Sequence, residues 1–550
     1  MKIVLDIETN STHDKIWMCV TRNIETDEVI VWKAASGLQK YLEVCDLIIM
    51  HNGINFDAPV LRKNWNVTMK LSQVYDTLVA SRLLNPSLED GHSLGAWGSR
   101  LGYAKGDFSD WDNGATPEME EYCIQDTLVT KQLYNHLVTT LQSEGFSQRS
   151  INLEHNVQAI ITKQEENGFR LDEVKSLQLL SLLKAKLDAI QIEMATIFPD
   201  KVTTGRIHKL SGKPLKDIVE PFNPGSRKQI AERLIEKGWK PKKHTEKGSV
   251  IVDEAVLETL NYPEAKTLAE YMMLQKRIAQ IESWLDALGP DGRVHGRVIT
   301  CGAVTGRMTH MSPNMAQVPN SGSPYGMDCR ELWTVEKGNK LVGIDASGLE
   351  LRMLAHYMND NAYTNEVVSG DIHTTNQKAA GLETRNQAKT FIYAFLYGAG
   401  ASKIGTVVGG SAKEGQRLID SFLRNTPKLQ ELRQKVSRIY ATKGKLPGLD
   451  GRQLLCRSEH SAVNTLLQGA GAIVMKQALV LLDKELKKAK IKYKFVANVH
   501  DEWQIEVEEA RAEEVGTMGV IAIEEAGIVL DMRCPLDGEF KVGNNWKETH

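Results

Sequence analysis

Four acidic side chains near the start of the sequence have the types and spacing of metal ligands. Asp6 and Glu8 stand two residues apart in the apolar segment KIVLDIET, so on a strand they point to one side. Asp57 follows the apolar run LIIMHNGINF, and Asp126 comes one helical turn after Tyr122. Like charges that face one another repel unless a cation lies between them. The pattern therefore predicts two divalent ions that activate a water molecule against a phosphodiester, with Tyr122 placing that water.

A second set of acidic positions lies far along the chain. Asp345 ends the apolar segment KLVGID, and Glu350 lies in the helix-like segment SGLELRMLAHYM that follows. Asp501 and Glu502 stand at the bend between YKFVANVH and EWQIEVEE, which have the pattern of two strands. Taken alone, an Asp is more often a solvated surface group, and an Asp-Glu pair in a bend is more often simple turn chemistry.

A cationic helix changes the balance between these interpretations. In TRNQAKTFIYAFLYGAG, Thr384 and Gln387 form a capping box, so a helix is predicted to begin near Arg385. Arg385, Lys389 and Tyr393 then recur every four residues and span roughly 12 Å of one helix face. Two cations and an aromatic ring in one line match a nucleoside triphosphate. Without the carboxylates, a solvated basic stripe with Tyr393 in the core would be the better interpretation.

The periodicity of apolar residues indicates which elements position these side chains. Strands are predicted at KIVLDIET, MCVTRNI, EVIVWKA and DLIIMH, and a helix from Thr116-Pro117 to about Ser143. Residues 1–145 are therefore predicted to form a compact α/β domain. Further along, the patterns predict helices over 150–200, up to about 287 and over 375–440, a loop over 201–225, a strand over 340–346 and a hairpin near 493–509.

Composition limits the class of protein. The 550 residues suit several packed units, and 42% hydrophobic with 25% charged residues is typical of a soluble globular chain. We expect no membrane span, because no run of about eighteen uncharged apolar residues occurs. We expect no signal peptide either, because carboxylates begin at Asp6. The seven cysteines include no CxxC pair, which indicates free thiols in a reducing compartment and argues against a zinc site.

Charge is unevenly distributed along the chain. Residues 1–150 carry 13 Lys and Arg against 20 Asp and Glu, whereas residues 201–250 carry 13 against 5. The basic middle indicates either a solvated helical face or a surface that binds a polyanion, and charge alone leaves both interpretations open.

The front of the chain resembles a known nuclease family. The order DIE on a strand, NxxxFD after the next apolar strand and YxxxD on a helix is similar to the DnaQ-like 3′→5′ exonucleases, in the branch that uses tyrosine. The resemblance covers roughly residues 1–145. It implies an RNase H-like fold and a two-metal proofreading nuclease in which Asp6, Glu8, Asp57 and Asp126 hold the ions.

The rest of the chain resembles family A DNA polymerases. The segments DASGLELRMLAHYM, RNQAKTFIYAFLYGAG and VHDEWQIEV look like two palm motifs and the fingers helix, and TGRMTHMSPNMAQVP, GDIHT, GLDGR and SAVNTLLQGAGA also match. The residues of these motifs are similar to those of the phage replicative branch of the family. The resemblance covers essentially the whole chain. It implies an α/β multidomain protein with an RNase H-like exonuclease domain over 1–150 and a right-hand polymerase domain over 151–550. The thumb is expected at about 151–290, the palm at about 291–357 and 440–550, and the fingers at about 358–439.

The polymerase resemblance implies a role for individual residues. Asp345 and Asp501, with the Ala346 carbonyl, are expected to hold two Mg²⁺ ions, for which Mn²⁺ is a substitute, and Glu502 is expected to be secondary. Arg385, Lys389 and His373 are expected to contact the triphosphate, with Lys389 also protonating the leaving group. Glu350 with Tyr393 is expected under the sugar, where it excludes a 2′-hydroxyl. The residues expected to contact DNA are Tyr397, Arg307, Asn464, Gln468, His500 and Arg452.

These assignments predict the activity and its partners. The protein is expected to add dNTPs to a primer 3′-hydroxyl on a DNA template, to proofread, and to replicate phage-type DNA without a 5′-nuclease domain. Its partners are expected to be primer-template DNA, dNTPs and replisome proteins such as a helicase. The protein is expected to act in the host cytoplasm and not to bind a membrane. A thioredoxin-type processivity factor is not expected, because the 23 residues before FNPGSR are too few for a folded insertion.

Two other functions are compatible with parts of this pattern. A single-subunit RNA polymerase shares the chemistry, but Glu350 and the proofreading acids argue against it. A catalytically dead DNA-binding or scaffold protein is the other alternative, and the presence of all six metal-site acids argues against that one.

Overall fold

The front of the chain forms a five-stranded mixed sheet with the order β3-β2-β1-β4-β5; the computed structural model describes residues 1–208 and 211–550. The strands are β1 (Lys2–Thr9), β2 (Ile16–Asn23), β3 (Val29–Trp32), β4 (Leu47–Met50) and β5 (Val74–Asp76). The helices are α1 (Leu38–Glu43), α2 (Asp57–Trp65), α3 (Thr77–Leu84), α4 (Leu94–Leu101) and α5 (Pro117–Ser143). Strands β1 to β3 pair antiparallel, whereas β1, β4 and β5 pair parallel.

Strand β1 lies at the centre of this sheet because its apolar side chains are covered on both faces. Leu5 packs into one buried cluster and Val4 into another, to which α5 contributes Leu133. The helix predicted over 117–143 is confirmed: the Thr116 side chain accepts a hydrogen bond from the backbone N–H of Met119. The carboxyl half of β1, which carries Asp6 and Glu8, is thereby fixed beside α5.

The next segment combines helices with three short strands. Its elements are α6 (Gln148–Asn167), β6 (Phe169–Leu171), α7 (Glu173–Ile197), β7 (Lys201–Thr203), β8 (Ile218–Glu220), α8 (Arg227–Glu236), α9 (Glu254–Glu258) and α10 (Pro263–Asp286). The prediction of unbroken helix over 150–200 was wrong at β6. Helix α6 ends at Gly168, whose φ of 63° turns the chain into the strand. The loop prediction over 201–225 was wrong in part, because Val202 pairs with Val219 in an antiparallel ribbon.

The middle of the chain leads into the second large sheet. Its elements are β9 (Arg293–Val294), β10 (Arg297–Ile299), β11 (Thr309–Met311), α11 (Gly326–Glu331), β12 (Trp333–Thr334), β13 (Asn339–Ala346) and α12 (Leu349–Met358). A helical region follows, as predicted, with α13 (Asn361–Val368), α14 (Ile372–Ala380), α15 (Arg385–Leu396), α16 (Ala401–Val407), α17 (Ala412–Asn425) and α18 (Pro427–Lys443). A hairpin of β14 (Lys445–Pro447) and β15 (Gln453–Leu455) closes it.

The last part of the chain completes a four-stranded antiparallel sheet with the order β16-β17-β13-β18. Its elements are α19 (Ala462–Lys488), β16 (Tyr493–Val499), β17 (Glu502–Glu508), α20 (Ala512–Val529) and β18 (Gly538–Gly543). The helical stretch Glu459–Lys488 is long and apolar enough to cross a membrane, but 78% of its most apolar window is buried inside the protein. That burial is typical of a core helix.

A buried ionic cluster joins α6, the β14–β15 hairpin and α19. The Arg452 guanidinium, 2% exposed, donates to Asp450 at 2.7 Å and to Glu154 at 2.6 Å. Lys476 donates to the same Glu154 oxygen at 2.6 Å and to the Gly306 carbonyl at 2.7 Å. Arg452 was expected to contact DNA. Its side chain instead lies in the interior, because two buried carboxylates occupy its donors, and it is reassigned to holding these elements together.

We expect Arg452→Met to lower the free energy of unfolding by about 3–5 kcal/mol, because it leaves buried Asp450 without its cation and removes one of the two cations bound to Glu154. Denaturant titration followed by circular dichroism measures this change. Arg417→Met is the matched control: Arg417 is exposed, pairs with Glu414 on its own helix, and should cost less than about 1 kcal/mol. Equal losses in the two variants would contradict the structural role of Arg452.

Candidate active sites

The first candidate site lies at the carboxyl half of β1. One ligand atom each of Asp6, Glu8 and Cys123 lies within 4.8 Å of the others. Asp57 is the first residue of α2, and Asp126 lies in α5 one turn after Cys123. The structure thus brings Asp6 and Glu8 to one side of the strand, and the electrostatics of the site include both Asp57 and Asp126.

The carboxylates of this site are buried close together. Burial, followed by repulsion from Asp126, raises the pKa of Asp6 to about 7. Burial and the charges of Asp6 and Asp126 raise the pKa of Glu8 to about 9. One oxygen each of Asp57 and Asp126 is buried with no hydrogen-bond donor among the described residues. Unpartnered buried oxygens that repel one another fit divalent cations, which supply the missing positive charge.

Lys105 and Cys123 belong to this site although the sequence analysis did not select them. The Lys105 ammonium lies 2.7 Å from an Asp126 oxygen and 4.9 Å from the centre of the Tyr122 ring. Burial lowers the pKa of Lys105, but the Asp126 carboxylate more than compensates and raises it overall. Lys105 precedes α5 in a segment without periodicity, so no pattern pointed to it. Cys123 had a signal, since it stands three residues before Asp126 on one helix face.

The second candidate site lies where β13 and the β16–β17 hairpin end. Asp345 pairs with Glu502 across β13 and β17, and Asp501 occupies the adjoining turn. The backbone N–H of Ala346 donates to the Asp501 carbonyl at 3.1 Å, which ties the two acidic segments together. Burial and the charge of Asp501 raise the pKa of Asp345 to about 8, and burial with Glu350 raises the pKa of Asp501 to about 6. This is again a pair of crowded carboxylates that suits divalent cations.

Glu502 has a different environment from its two neighbours. It accepts a hydrogen bond from the Trp546 indole N–H at 2.5 Å, and the His550 Nδ1 atom lies 3.1 Å from its other oxygen. Burial raises the pKa of Glu502, but the hydrogen bonds from His550 and Gln504 outweigh it and lower the pKa overall. Both oxygens are therefore engaged with β17 and the C-terminal segment, which fits a residue that supports the site.

Glu350 connects the acidic pair to the helical region. Its Oε1 atom accepts a hydrogen bond from the Tyr397 hydroxyl at 3.0 Å and lies 3.5 Å from the Arg307 guanidinium. The sequence analysis expected Glu350 to act with Tyr393. Tyr393 does lie near, since burial and the charges of Glu350 and Asp501 raise its pKa, but the hydrogen bond goes to Tyr397.

Helix α15 carries the predicted row of cations. It begins at Arg385 behind the predicted capping box, which is present in full. Lys389 and Tyr393 line an open pocket of about 580 Å³, and the His373 ring lies 6.2 Å from the Tyr393 ring. Arg385 donates to both oxygens of Asp371 at 2.9 and 3.1 Å. Lys389 has no ion-pair partner among the described residues, whereas Arg385 is held by Asp371.

The other residues expected to contact DNA lie on two surfaces. Asn464 and Gln468 stand on successive turns of α19 and are joined by a hydrogen bond of 2.9 Å. Arg307 and His500 line one small cavity together with Trp503. All four are at least partly exposed, unlike Arg452.

Comparisons with known proteins concern nearly the whole chain. Residues 200–548 match the family model described as DNA polymerase family A. The chain is 33% identical over 710 residues to the DNA-directed DNA polymerase of Escherichia phage T7, with 100% of each chain covered. It is 34% identical over 656 residues to the DNA-directed DNA polymerase of Enterobacteria phage T3, with 92% of each covered.

A solved structure supports the same architecture. The polymerase domain of Pol1 from M. smegmatis, in complex with DNA primer-template and dNTP, superposes with a TM-score of 0.83. The match covers 100% of this chain and 95% of the other at 18% identity. At that identity the likeness establishes the fold, which has mixed α/β content.

The raised pKa values of the first site predict how stability depends on pH. Because Asp6 and Glu8 bind protons more tightly in the folded than in the unfolded state, the metal-free protein should lose stability as pH rises from about 4 to about 9. Asp6→Asn combined with Glu8→Gln should flatten this decline and stabilise the protein at pH 8 by at least roughly 1 kcal/mol. Thermal unfolding in a chelating buffer measures both profiles.

Glu28→Gln, at an exposed position of the same domain, is the control and should leave the profile unchanged. If the double variant and wild type declined in parallel, the crowding of these carboxylates would be refuted.

Proposed function

The chain belongs to DNA polymerase family A, and we propose that it extends a DNA primer at Asp345 and Asp501 and trims mismatched 3′ ends at Asp6 and Glu8. DNA-directed DNA polymerase activity of the phage T7 type is supported by the family match and by similarity along the whole chain. The observation that carries the two-site proposal is the presence of two separate groups of buried carboxylates that raise each other's pKa.

In the extension reaction, Asp345, Asp501 and the Ala346 carbonyl would hold two Mg²⁺ ions. When bound, such ions lower the pKa of an attacking hydroxyl and neutralise the charge of the leaving pyrophosphate. Asp345 comes from β13 and Asp501 from the turn between β16 and β17, and the hydrogen bond from the Ala346 N–H to the Asp501 carbonyl joins the two segments. Glu502 supports this arrangement through Trp546 and His550 instead of binding an ion itself.

The incoming dNTP would bind along α15. Lys389 and Arg385 would contribute positive charge for the phosphates, and the His373 ring lies 6.2 Å from the Tyr393 ring. Lys389 would also donate a proton to the leaving pyrophosphate. Glu350 would lie beneath the sugar, where its carboxylate leaves no room for a 2′-hydroxyl and so selects deoxynucleotides.

Primer-template DNA would lie across the cleft between these surfaces. Arg307, Asn464, Gln468 and His500 are partly exposed polar side chains suited to the minor groove, whose acceptors occupy similar places in every base pair. Tyr397 would stack near the templating base. The net positive charge of residues 201–250 supports a grip on the phosphate backbone, and a replicative helicase is a further expected partner.

Proofreading would take place in an RNase H-like domain at the front of the chain. The mixed sheet presents Asp6 and Glu8 from its central strand, while α2 and α5 contribute Asp57 and Asp126. Tyr122 would orient the attacking water. Lys105, now bound to Asp126, would have to release that carboxylate when two Mg²⁺ ions enter.

The two sites should be separable by mutation. Asp345→Ala should reduce primer extension at least roughly 10³-fold while trimming of a mismatched 3′ end persists, because only the extension site loses a ligand. Asp6→Ala with Glu8→Ala should abolish trimming and leave extension intact. Gel assays on one labelled primer-template measure both activities, and each variant serves as the folding control for the other. Trimming that survives the double substitution would refute the proposed trimming site at Asp6 and Glu8.

Nucleotide selection tests the place of Tyr393. A tyrosine hydroxyl beside the sugar replaces the hydrogen bond that a dideoxynucleotide loses with its 3′-hydroxyl. We therefore expect Tyr393→Phe to incorporate dideoxynucleotides less well relative to dNTPs, at an unchanged rate with dNTPs alone. The ratio of the two kcat/KM values measures this, and an unchanged ratio would place Tyr393 elsewhere.

A further inference from the structure

Asp371 joins the first turns of helices α14 and α15. It is the N-cap of α14, where its carboxylate accepts hydrogen bonds from the Thr374 backbone N–H at 3.3 Å and from the Thr374 hydroxyl at 2.7 Å. The same carboxylate accepts from the Nε atom of Arg385, the first residue of α15, at 2.9 and 3.1 Å. One anionic side chain is therefore bound to both of the helices that carry His373 and Arg385.

The contact with Asp371 leaves most of the Arg385 guanidinium available. An arginine side chain donates through Nε and through two terminal nitrogens, and Asp371 accepts from Nε. The terminal nitrogens of Arg385 make no hydrogen bond within residues 1–208 and 211–550. Because the guanidinium is a planar and rigid fork, holding Nε sets the direction of this terminal pair, which suits two oxygens of one phosphate. Arg385 is therefore able to bind Asp371 and a phosphate at the same time.

The charged groups around Asp371 act on one another. Burial lowers the pKa of His373, and the charges of Arg385 and Lys389 lower it further, so these three side chains lie within electrostatic reach. The hydrogen bonds from Arg385 and Thr374 hold the pKa of the Asp371 carboxyl well below its usual range, so this group is ionised at neutral pH. An ionised carboxylate beside a triphosphate repels it, and the fixed orientation of Arg385 is a benefit that offsets this repulsion.

We propose that Asp371 is a positioning residue for the incoming dNTP, which orients Arg385 through Nε and leaves its terminal nitrogens for the phosphates. The inference rests on the proposed function, which places the dNTP along α15. An exposed ion pair by itself contributes little, because two mobile side chains have to be ordered. Here Thr374 already fixes the carboxylate, so less freedom is lost when Arg385 binds. The contribution of Asp371 is therefore expected in dNTP affinity and not in the stability of the fold.

Asp371→Asn tests this role without breaking α14, because Asn caps a helix about as well as Asp does. A neutral amide oxygen holds the guanidinium less firmly than a carboxylate, so the Kd for dNTP should rise at least roughly fivefold. Titration of the complementary dNTP into the complex with a primer-template whose primer lacks a 3′-hydroxyl measures this Kd without extension. The Kd for the primer-template itself should keep its wild-type value.

Asp360→Asn is the matched control for the loss of a capping carboxylate. Asp360 caps α13 by accepting from the backbone N–H groups of Ala362 and Tyr363, and it forms no ion pair with the described residues. Its variant should bind dNTP with wild-type affinity, and the two Asn variants should have equal Tm values.

A double-mutant cycle shows whether Asp371 acts through Arg385. In the background of Arg385→Ala, adding Asp371→Asn should not raise the Kd for dNTP further, because the carboxylate has no guanidinium left to orient. A purely structural role of Asp371 would give the same loss of affinity in both backgrounds.

The proposal is overturned if Asp371→Asn binds dNTP as tightly as wild type or more tightly, since tighter binding would mean that the carboxylate competes with the phosphates for Arg385. It is also overturned if the losses from Asp371→Asn and Arg385→Ala add. Either result leaves the proposed dNTP site standing, provided that Arg385→Ala alone weakens dNTP binding. If Arg385→Ala has no effect, the placement of the phosphates on α15 fails together with the positioning role. If the wild type binds dNTP in this pattern but extends no primer, the proposed polymerase activity fails and the positioning role stands.

Discussion

The repulsion between carboxylates buried together at strand ends is the constraint on which the rest of the structure depends. In both sheets, an apolar strand carries an acid into a position where neighbouring acids raise its pKa. Such an arrangement costs folding free energy unless protons or cations neutralise it. A fold keeps it only where the surrounding elements are rigid enough to hold the side chains in place.

That rigidity has identifiable sources. At the rear site, Glu502 is held by Trp546 and His550, so the C-terminal segment braces the strand pair that carries Asp345. Between the two halves of the molecule, the Glu154–Arg452 cluster ties α6 to the hairpin and to α19. These interactions make no contact with the proposed reacting atoms. They hold the elements around the acidic side chains in place.

The elements that follow local rules were predictable from sequence. The strand of Asp6, the helix after Thr116 and the capping box at Thr384 all depend on neighbouring residues alone, and all are present. The long motifs also indicated the family, which the comparisons establish.

The remaining features depend on contacts between distant parts of the chain. Arg452 was misassigned because its partner Glu154 lies 298 positions away, and no local pattern distinguishes a buried arginine from one that meets DNA. The role of Lys105 was not predicted, because this residue contacts Asp126 from an irregular segment. Strand β6 is only three residues long and pairs with β9 and β12, so its partners, and not its own periodicity, define it.

Counting bound Mn²⁺ by electron paramagnetic resonance tests the central claim most directly, because it reports on the carboxylate groups without requiring turnover. The account predicts that Asp345→Ala with Asp501→Ala and Asp6→Ala with Glu8→Ala each remove a different part of the bound Mn²⁺. Combining all four substitutions should then remove both parts. A count that stayed at the wild-type value in either double variant would contradict the account, since that pocket would then not hold the ions.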